Sequence, residues 1–113
     1  MSEFNEKNYS AGIIGIGKCL PDKILTNNDL EKIVDTSDEW ITKRTGISER
    51  RILDKECPLY ELGIKASQNA LKNAGIEPLD VDLIVVTTES PDYLVPSMAC
   101  IIQNGIGASK AAA

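Results

Sequence analysis

Three features of the amino-acid sequence predict an α/β fold. A glycine-bounded apolar run occupies residues 11–17, a denser run rich in β-branched residues occupies 82–88, and residues 58–74 between them carry the apolar spacing of a long helix. Short, solid apolar runs mark strands buried on both faces, and a strand, a helix and a strand in that order make a crossover unit.

In Ala11-Gly12-Ile13-Ile14-Gly15-Ile16-Gly17 the glycines predict that another element packs very close to the strand. Gly15 and Gly17 also begin a weak likeness to a dinucleotide-binding loop. The third glycine is missing, however, and Pro21 stands where the phosphate-binding helix would start, so close packing is the preferred reading. Two short helices follow. Thr26 or Asn27 caps a helix over 28–34, with Leu30, Ile33 and Val34 on its apolar side. Thr36 and Glu39 fit a capping box that opens a second helix over 37–43, and Gly46 stops it.

Residues 48–53 resemble a polar edge strand. Pro58 then stands near the first turn of the longest helix, in which Leu59, Leu62, Ala66, Ala70 and Ala74 recur at spacings of three and four before Gly75 ends it. Its alanines imply close packing against a sheet or another helix. The run 82–88 is characteristic of a central parallel strand. Pro96-Ser97 opens a last helix through Met98 and Ile102, ended by Gly105-Ile106-Gly107. The neighbouring strand that a parallel sheet calls for does not follow before Ala113. Residues 1–113 are therefore read as one incomplete domain, the front portion of a larger protein or a chain that needs a second chain to cover its sheet.

The chain of 113 residues carries 12 Lys and Arg against 17 Asp and Glu, a net charge of -5, and 42% hydrophobic residues, enough for a core. The acidic balance argues against nucleic acid as a partner, since phosphate neutralisation needs a basic face. Without histidine the chain offers no imidazole base, no Ser-His or Cys-His pair and no histidine metal ligand. Cys19, Cys57 and Cys100 are far apart, odd in number and free of any CxxC pair, which suits a reduced, cytoplasmic protein. The polar opening from Met1 to Tyr9 has no apolar export core, and no stretch is long and apolar enough to cross a bilayer, so no membrane partner is expected.

Chemistry concentrates in one segment, from Asp35 to Arg51, which holds the one tryptophan and all three arginines. Trp40 and Arg44, four residues apart, share a helix face and are placed to sandwich a flat ring, with Lys43 and Arg51 available to phosphates. An adenine nucleotide or coenzyme A mouth fits this pattern. A purely structural alternative stays open: Trp40 in the core, and Arg44 in a surface ion pair with Glu39, Asp38 or Glu49.

The run Val34-Asp35-Thr36-Ser37-Asp38-Glu39-Trp40-Ile41, followed by Arg44-Thr45-Gly46-Ile47-Ser48-Glu49-Arg50, resembles the N-terminal signature of the β-ketoacyl-acyl carrier protein synthase III family. Weaker matches extend over nearly the whole chain, among them Leu20-Pro21, Thr26-Asn27-Asn28-Asp29-Leu30, Ala74-Gly75-Ile76, Pro91-Asp92-Tyr93 and Pro96-Ser97-Met98-Ala99-Cys100. The resemblance implies a thiolase-like fold, of which this chain is the N-terminal part of the first half, with an incomplete mixed sheet and crossover helices. It further implies a homodimer that condenses an acyl-CoA primer such as acetyl-CoA with malonyl-acyl carrier protein, with loss of carbon dioxide, to start type II fatty acid synthesis. Acyl-CoA enters as substrate, and no separate cofactor or metal is implied.

In that family a cysteine takes the acyl group, and a histidine and an asparagine stabilise the charge that develops during decarboxylation. The resemblance places the cysteine a few residues beyond 107–113 and the other two in a second half, so no catalytic residue is expected here and Cys100 is not the nucleophile. What carries over is the mouth: Trp40 stacked on adenine, Arg44 opposite it, Thr36 as a polar contact and Arg51 near the phosphates. Thr88 and Glu89 fall where the family lines its primer pocket, and Val95 where a residue reaches across the dimer. Glu89 departs from the small uncharged residue expected there, which leaves the primer open. Gly105 stands where a larger residue would suit the helix end. A non-catalytic coenzyme A-binding or interaction module, or a related thiolase-fold condensing enzyme, is the alternative.

Overall fold

The computed structural model describes residues 10–113, so the polar opening segment lies outside the described residues. Its elements are β1 (Ile24–Thr26), α1 (Asn27–Glu31), α2 (Asp38–Thr45), β2 (Glu49–Arg51), α3 (Leu59–Ala74), a 3-10 turn (Pro78–Asp80) and α4 (Met98–Ile106). The radius of gyration is 19.4 Å, against roughly 13 Å for a compact domain of about 100 residues. Buried apolar side chains are correspondingly few: Ile41, Met98, Ile102, Ala108 and Ala111.

Helix α3 organises the larger part. Pro58 precedes it and contributes no side-chain cap. The cap comes instead from a distant loop, where the two Asp92 carboxylate oxygens accept from the backbone N–H groups of Leu59 at 2.9 Å and Tyr60 at 2.8 Å. An anion at a helix N-terminus satisfies orphan donors and the positive end of the dipole together. Tyr60 and Tyr93 stack beside it with ring centroids 6.5 Å apart. Gly75 ends the helix in the left-handed conformation, φ 68°.

The glycines of segment 11–17 lie against one face of α3. A Cβ on Gly15 would fall 2.6 Å from the Ala70 carbonyl oxygen and from the Ala74 Cβ, and one on Gly17 would collide with backbone atoms of Ala66 and Ala70. Asn73 Nδ2 donates to the Ile16 carbonyl at 2.7 Å and Asn69 Nδ2 to that of Lys18 at 3.0 Å. The expected close approach is therefore present, but the expected strand is not. Residues 11–17 pair with no neighbour among the described residues, and Ile13 and Ile16 are exposed.

Helix α4 crosses α3 by the same device. A Cβ on Gly63 would lie 2.6 Å from Ile102 Cδ1, and one on Gly105 would strike Ile64. Gly105 thus has a packing reason that its place near a helix end concealed. Ser97 caps α4, its Oγ accepting from the N–H of Cys100 at 3.2 Å, and Gly107 ends it at φ 78°.

The central strand expected over 82–88 is reduced to one parallel bridge between Leu83 and Ala112, made by Ala112 N–H to Asp82 and Ile84 N–H to Ala112, both 2.8 Å. A strand exists only where a neighbour completes its ladder. Here Ala112 is that neighbour, and Leu83 and Val85 remain 63% and 76% exposed. The bridge joins the two ends of a crossover whose helix is α4.

The one sheet among the described residues differs from expectation in its partner. The edge strand expected at 48–53 is β2, and it pairs antiparallel with β1, which the sequence did not announce, in the register Ile24 to Arg51 and Thr26 to Glu49. The first helix begins and ends earlier than 28–34. Thr26 is its cap in a reciprocal box with Asp29, whose carboxyl the Thr26 hydroxyl and then Lys32 hold at about 2. The capping box expected at Thr36 and Glu39 is not formed. Ser37 caps α2 by accepting from the N–H of Trp40 at 3.1 Å, and the Glu31 carboxylate accepts from that of Asp38 at 2.6 Å. Gly46 ends α2 at φ 71°, as its position predicted. The 3-10 turn was not expected.

Two consequences are measurable as denaturant midpoints. Asp92→Ala leaves the first turn of α3 uncapped and is expected to cost about 1 to 2 kcal/mol, with Asp92→Asn losing less. Gly17→Ala forces α3 and segment 11–17 apart and is expected to cost about 1 to 3 kcal/mol, whereas Gly12→Ala, with open space around it, is expected to be neutral.

Candidate functional site

Helix α2 is eight residues long, too short to persist alone in water, so its position depends on what holds it. Ile41 is buried beneath it. Asp38, at its start, accepts from Asn27 Nδ2 at 2.7 Å and from the Thr42 hydroxyl one turn on at 3.3 Å. Two positions along a helix are about 200° around its axis, so with Asp38 and Thr42 turned toward Asn27, Trp40 and Arg44 face away from it.

Trp40 is 54% exposed, which disposes of the alternative that it is a core residue. The Arg44 guanidinium carbon lies 4.6 Å from the centroid of its ring, and Arg44 takes part in no ion pair among the described residues. Cation and indole are thus in direct stacking contact, worth about 0.5 to 1 kcal/mol at an exposed site. Beside Trp40 opens a cavity of about 420 Å³ lined by Asp35, Thr36 and Ser37. Because Ser37 performs the capping, the Thr36 hydroxyl is left at this rim. Asp35 and Ser37 were not singled out from the sequence as lining residues.

The remaining candidates are not gathered here. Arg51 ends β2 and spends one guanidinium nitrogen on the carbonyls of Pro21 and Asp22, at 3.2 and 3.4 Å, tying down the chain that enters β1. Lys43 is exposed on α2. Thr88 accepts from the N–H of Ser90 at 3.3 Å, and Glu89 and Val95 are exposed, the latter preceding a cis bond to Pro96.

Cys57 lines a separate surface cavity with Lys23, Asp54, Lys55, Glu56, Pro58 and Glu61. Its thiol is pushed above the ordinary range by desolvation first, then by the Glu61 carboxylate 3.8 Å away and the charges of Asp54 and Asp92. A thiol so placed resists ionisation and is a poor nucleophile. Among the described residues no cluster of His, Cys, Asp or Glu is arranged to hold a metal ion, and no helix is long and apolar enough to cross a membrane.

No family model matches the chain. Curated relatives do. The chain is 57% identical over 104 residues to the β-ketoacyl-[acyl-carrier-protein] synthase III of Caldanaerobacter subterraneus subsp. tengcongensis, covering 92% of this chain and 31% of the relative. It is 54% identical over 104 residues to synthase III 1 of Bacillus anthracis, covering 92% and 34%. The chain is homologous to β-ketoacyl-acyl carrier protein synthase III. It spans about a third of the length of these synthase III relatives.

Solved structures agree. The chain superposes on 3-oxoacyl-[acyl-carrier-protein] synthase III from Aquifex aeolicus VF5 with a TM-score of 0.79 at 48% identity, covering 88% of this chain and 32% of that one. On the priming β-ketosynthase of the R1128 polyketide pathway the TM-score is 0.81 at 33% identity, covering 88% and 30%. The fold is therefore the α/β, thiolase-like fold of the condensing enzymes, present in part. This accounts for the large radius and the uncovered run at 82–88: in the synthase III relatives this length of chain is one portion of a larger body.

The chemistry at Cys57 makes one expectation concrete. At pH 8 its alkylation by iodoacetamide, followed residue by residue in a mass spectrometer, should be slower than that of an ordinary exposed thiol. Glu61→Gln removes a charge that opposes the thiolate, so the thiol pKa falls and the rate rises severalfold. An unchanged rate in Glu61→Gln would show that the carboxylate does not govern this thiol.

Proposed function

We propose that the chain forms the coenzyme A-facing portion of a 3-oxoacyl-acyl carrier protein synthase III. In the intact protein this activity joins an acyl-CoA primer, acetyl-CoA or a related short acyl group, to malonyl-acyl carrier protein with loss of carbon dioxide, in a cytoplasmic homodimer that opens type II fatty acid synthesis. The observation that carries the reading is the exposed Trp40 and Arg44 stack beside a cavity, on a chain so similar in sequence to the synthase III relatives.

At 4.6 Å the two groups leave no gap for a ring. A planar base needs about 3.5 Å of clearance on each face, roughly 7 Å in all, so the adenine enters by displacing the guanidinium from the indole. The small cost of breaking one exposed cation-π contact is offset by two new ones, because the base stacks on Trp40 and the guanidinium stacks on the base. The Thr36 hydroxyl at the rim supplies a polar contact and Lys43 positive charge for the phosphates, while Arg51, with one guanidinium nitrogen committed to the Pro21 and Asp22 carbonyls, adds charge only from the remainder of its fork. Thr88 and Glu89 then belong to the acyl pocket and Val95 to the dimer contact. The chain has no histidine, so by itself it binds the primer rather than condensing it. Its likeness to the priming β-ketosynthase supports a second reading, in which the partner substrate is that of a related condensing enzyme.

Titration of the chain with coenzyme A, followed by calorimetry, tests the mouth. Trp40→Ala and Arg44→Ala are each expected to raise Kd about tenfold or more, equivalent to about 1.4 kcal/mol, and Cys57→Ala to leave it unchanged. An affinity indifferent to Trp40 would overturn the assignment.

A further inference from the structure

Asn27 is the most deeply buried polar side chain described, 1% exposed, yet it stands at the start of a five-residue helix whose other positions are mostly surface. Its amide is fully used. Nδ2 donates to Asp38 Oδ1 at 2.7 Å and to the Ile47 carbonyl at 2.8 Å, Oδ1 accepts from Arg50 at 2.7 Å, and its backbone N–H donates to the Ser48 carbonyl at 3.0 Å. Asp38 opens α2 and Ile47 lies just past its closing glycine, so one side chain grips both ends of the helix. Arg50 bridges from β2, its other terminal nitrogen donating to the Leu25 carbonyl at 3.2 Å, and so fixes the rotamer of the amide it serves.

This grip, the Glu31 carboxylate on the Asp38 N–H and the buried Ile41 set which way the short α2 is turned, and of the three the Asn27 amide alone holds both ends. The face it presents outward is the one that carries Trp40 and Arg44. A buried amide with every donor and acceptor satisfied is rigid, and losing one partner leaves the others unsatisfied. We propose that Asn27, backed by Arg50, is the positioning residue for the Trp40 and Arg44 mouth, setting its geometry through α2 without touching ligand. The proposal rests on the coenzyme A reading of that mouth.

Trp40 is the one tryptophan, so its fluorescence reports the mouth directly. The test compares the full chain with Asn27→Ala, Arg50→Met and, as a destabilised control remote from α2, Gly17→Ala. Asn27→Ala and Arg50→Met are expected to raise acrylamide quenching of Trp40 and lower its anisotropy, at unchanged far-ultraviolet circular dichroism. Both should also weaken coenzyme A about tenfold, while Gly17→Ala shifts stability without moving the Trp40 signal. Should Asn27→Ala fail to fold, Arg50→Met decides, since it withdraws one partner and leaves the amide in place. Quenching and anisotropy equal to the parent in a folded variant, or an equal change in Gly17→Ala, overturn the proposal. Absence of coenzyme A binding in every form sinks the proposed function instead, and the Trp40 signal still reports whether Asn27 holds the mouth.

Discussion

Close approach of backbones to α3 is the constraint on which the rest of this structure depends. Segment 11–17 can lie along one face of that helix because Gly15 and Gly17 have no side chain to hold it off, and α4 can cross another because Gly63 and Gly105 make room for Ile102 and Ile64. Few large side chains are buried at these contacts. Stability here comes from backbone proximity and from polar ties, such as Asp92 on the helix N-terminus and Asn69 and Asn73 on carbonyls of the neighbouring segment. Packing of this kind resists an added methyl group most at Gly15 and Gly17, which face backbone atoms, and less at Gly63 and Gly105, which face isoleucine side chains, and it gains little from any single one of its contacts.

The α2 region obeys a different logic. It has one buried apolar residue, Ile41, and a polar centre at Asn27. Polar centres of this kind specify orientation better than they stabilise, because hydrogen bonds have direction and apolar contacts do not. A stack of Trp40 and Arg44 open to solvent needs such a base: the residues that meet a ligand cannot also be buried to hold their own helix. The division between an inward face of Asp38, Ile41 and Thr42 and an outward face of Trp40 and Arg44 follows from helical periodicity acting on that requirement.

Much of the local structure was legible in the sequence. Gly46, Gly75 and Gly107 end the three longer helices at positive φ where their positions said they would, and the alanine spacing of α3 announced its close neighbours. The specific run around Trp40 marked the family and the candidate mouth. Other features were not legible because they depend on partners distant in sequence. Ser37 rather than Thr36 became the cap, Asp92 reached back to α3 from a remote loop, and Ile24–Thr26 became a strand only because β2 lay beside it. Asn27 looked like a second candidate for a helix cap, and nothing local distinguished it from Asn28.

The sequence by itself determined where the three longer helices stop, which residues face together on them, and the kinship with the condensing enzymes, since all three follow from neighbouring residues or from identity of residues in order. Tertiary structure alone decided that Trp40 and Arg44 touch, that Asn27 is buried beneath them, and that 82–88 has a single bridge to Ala112. Stacking, burial and strand pairing are relations between groups brought together across the fold. A strand in particular has no existence apart from the neighbour that completes its hydrogen bonds.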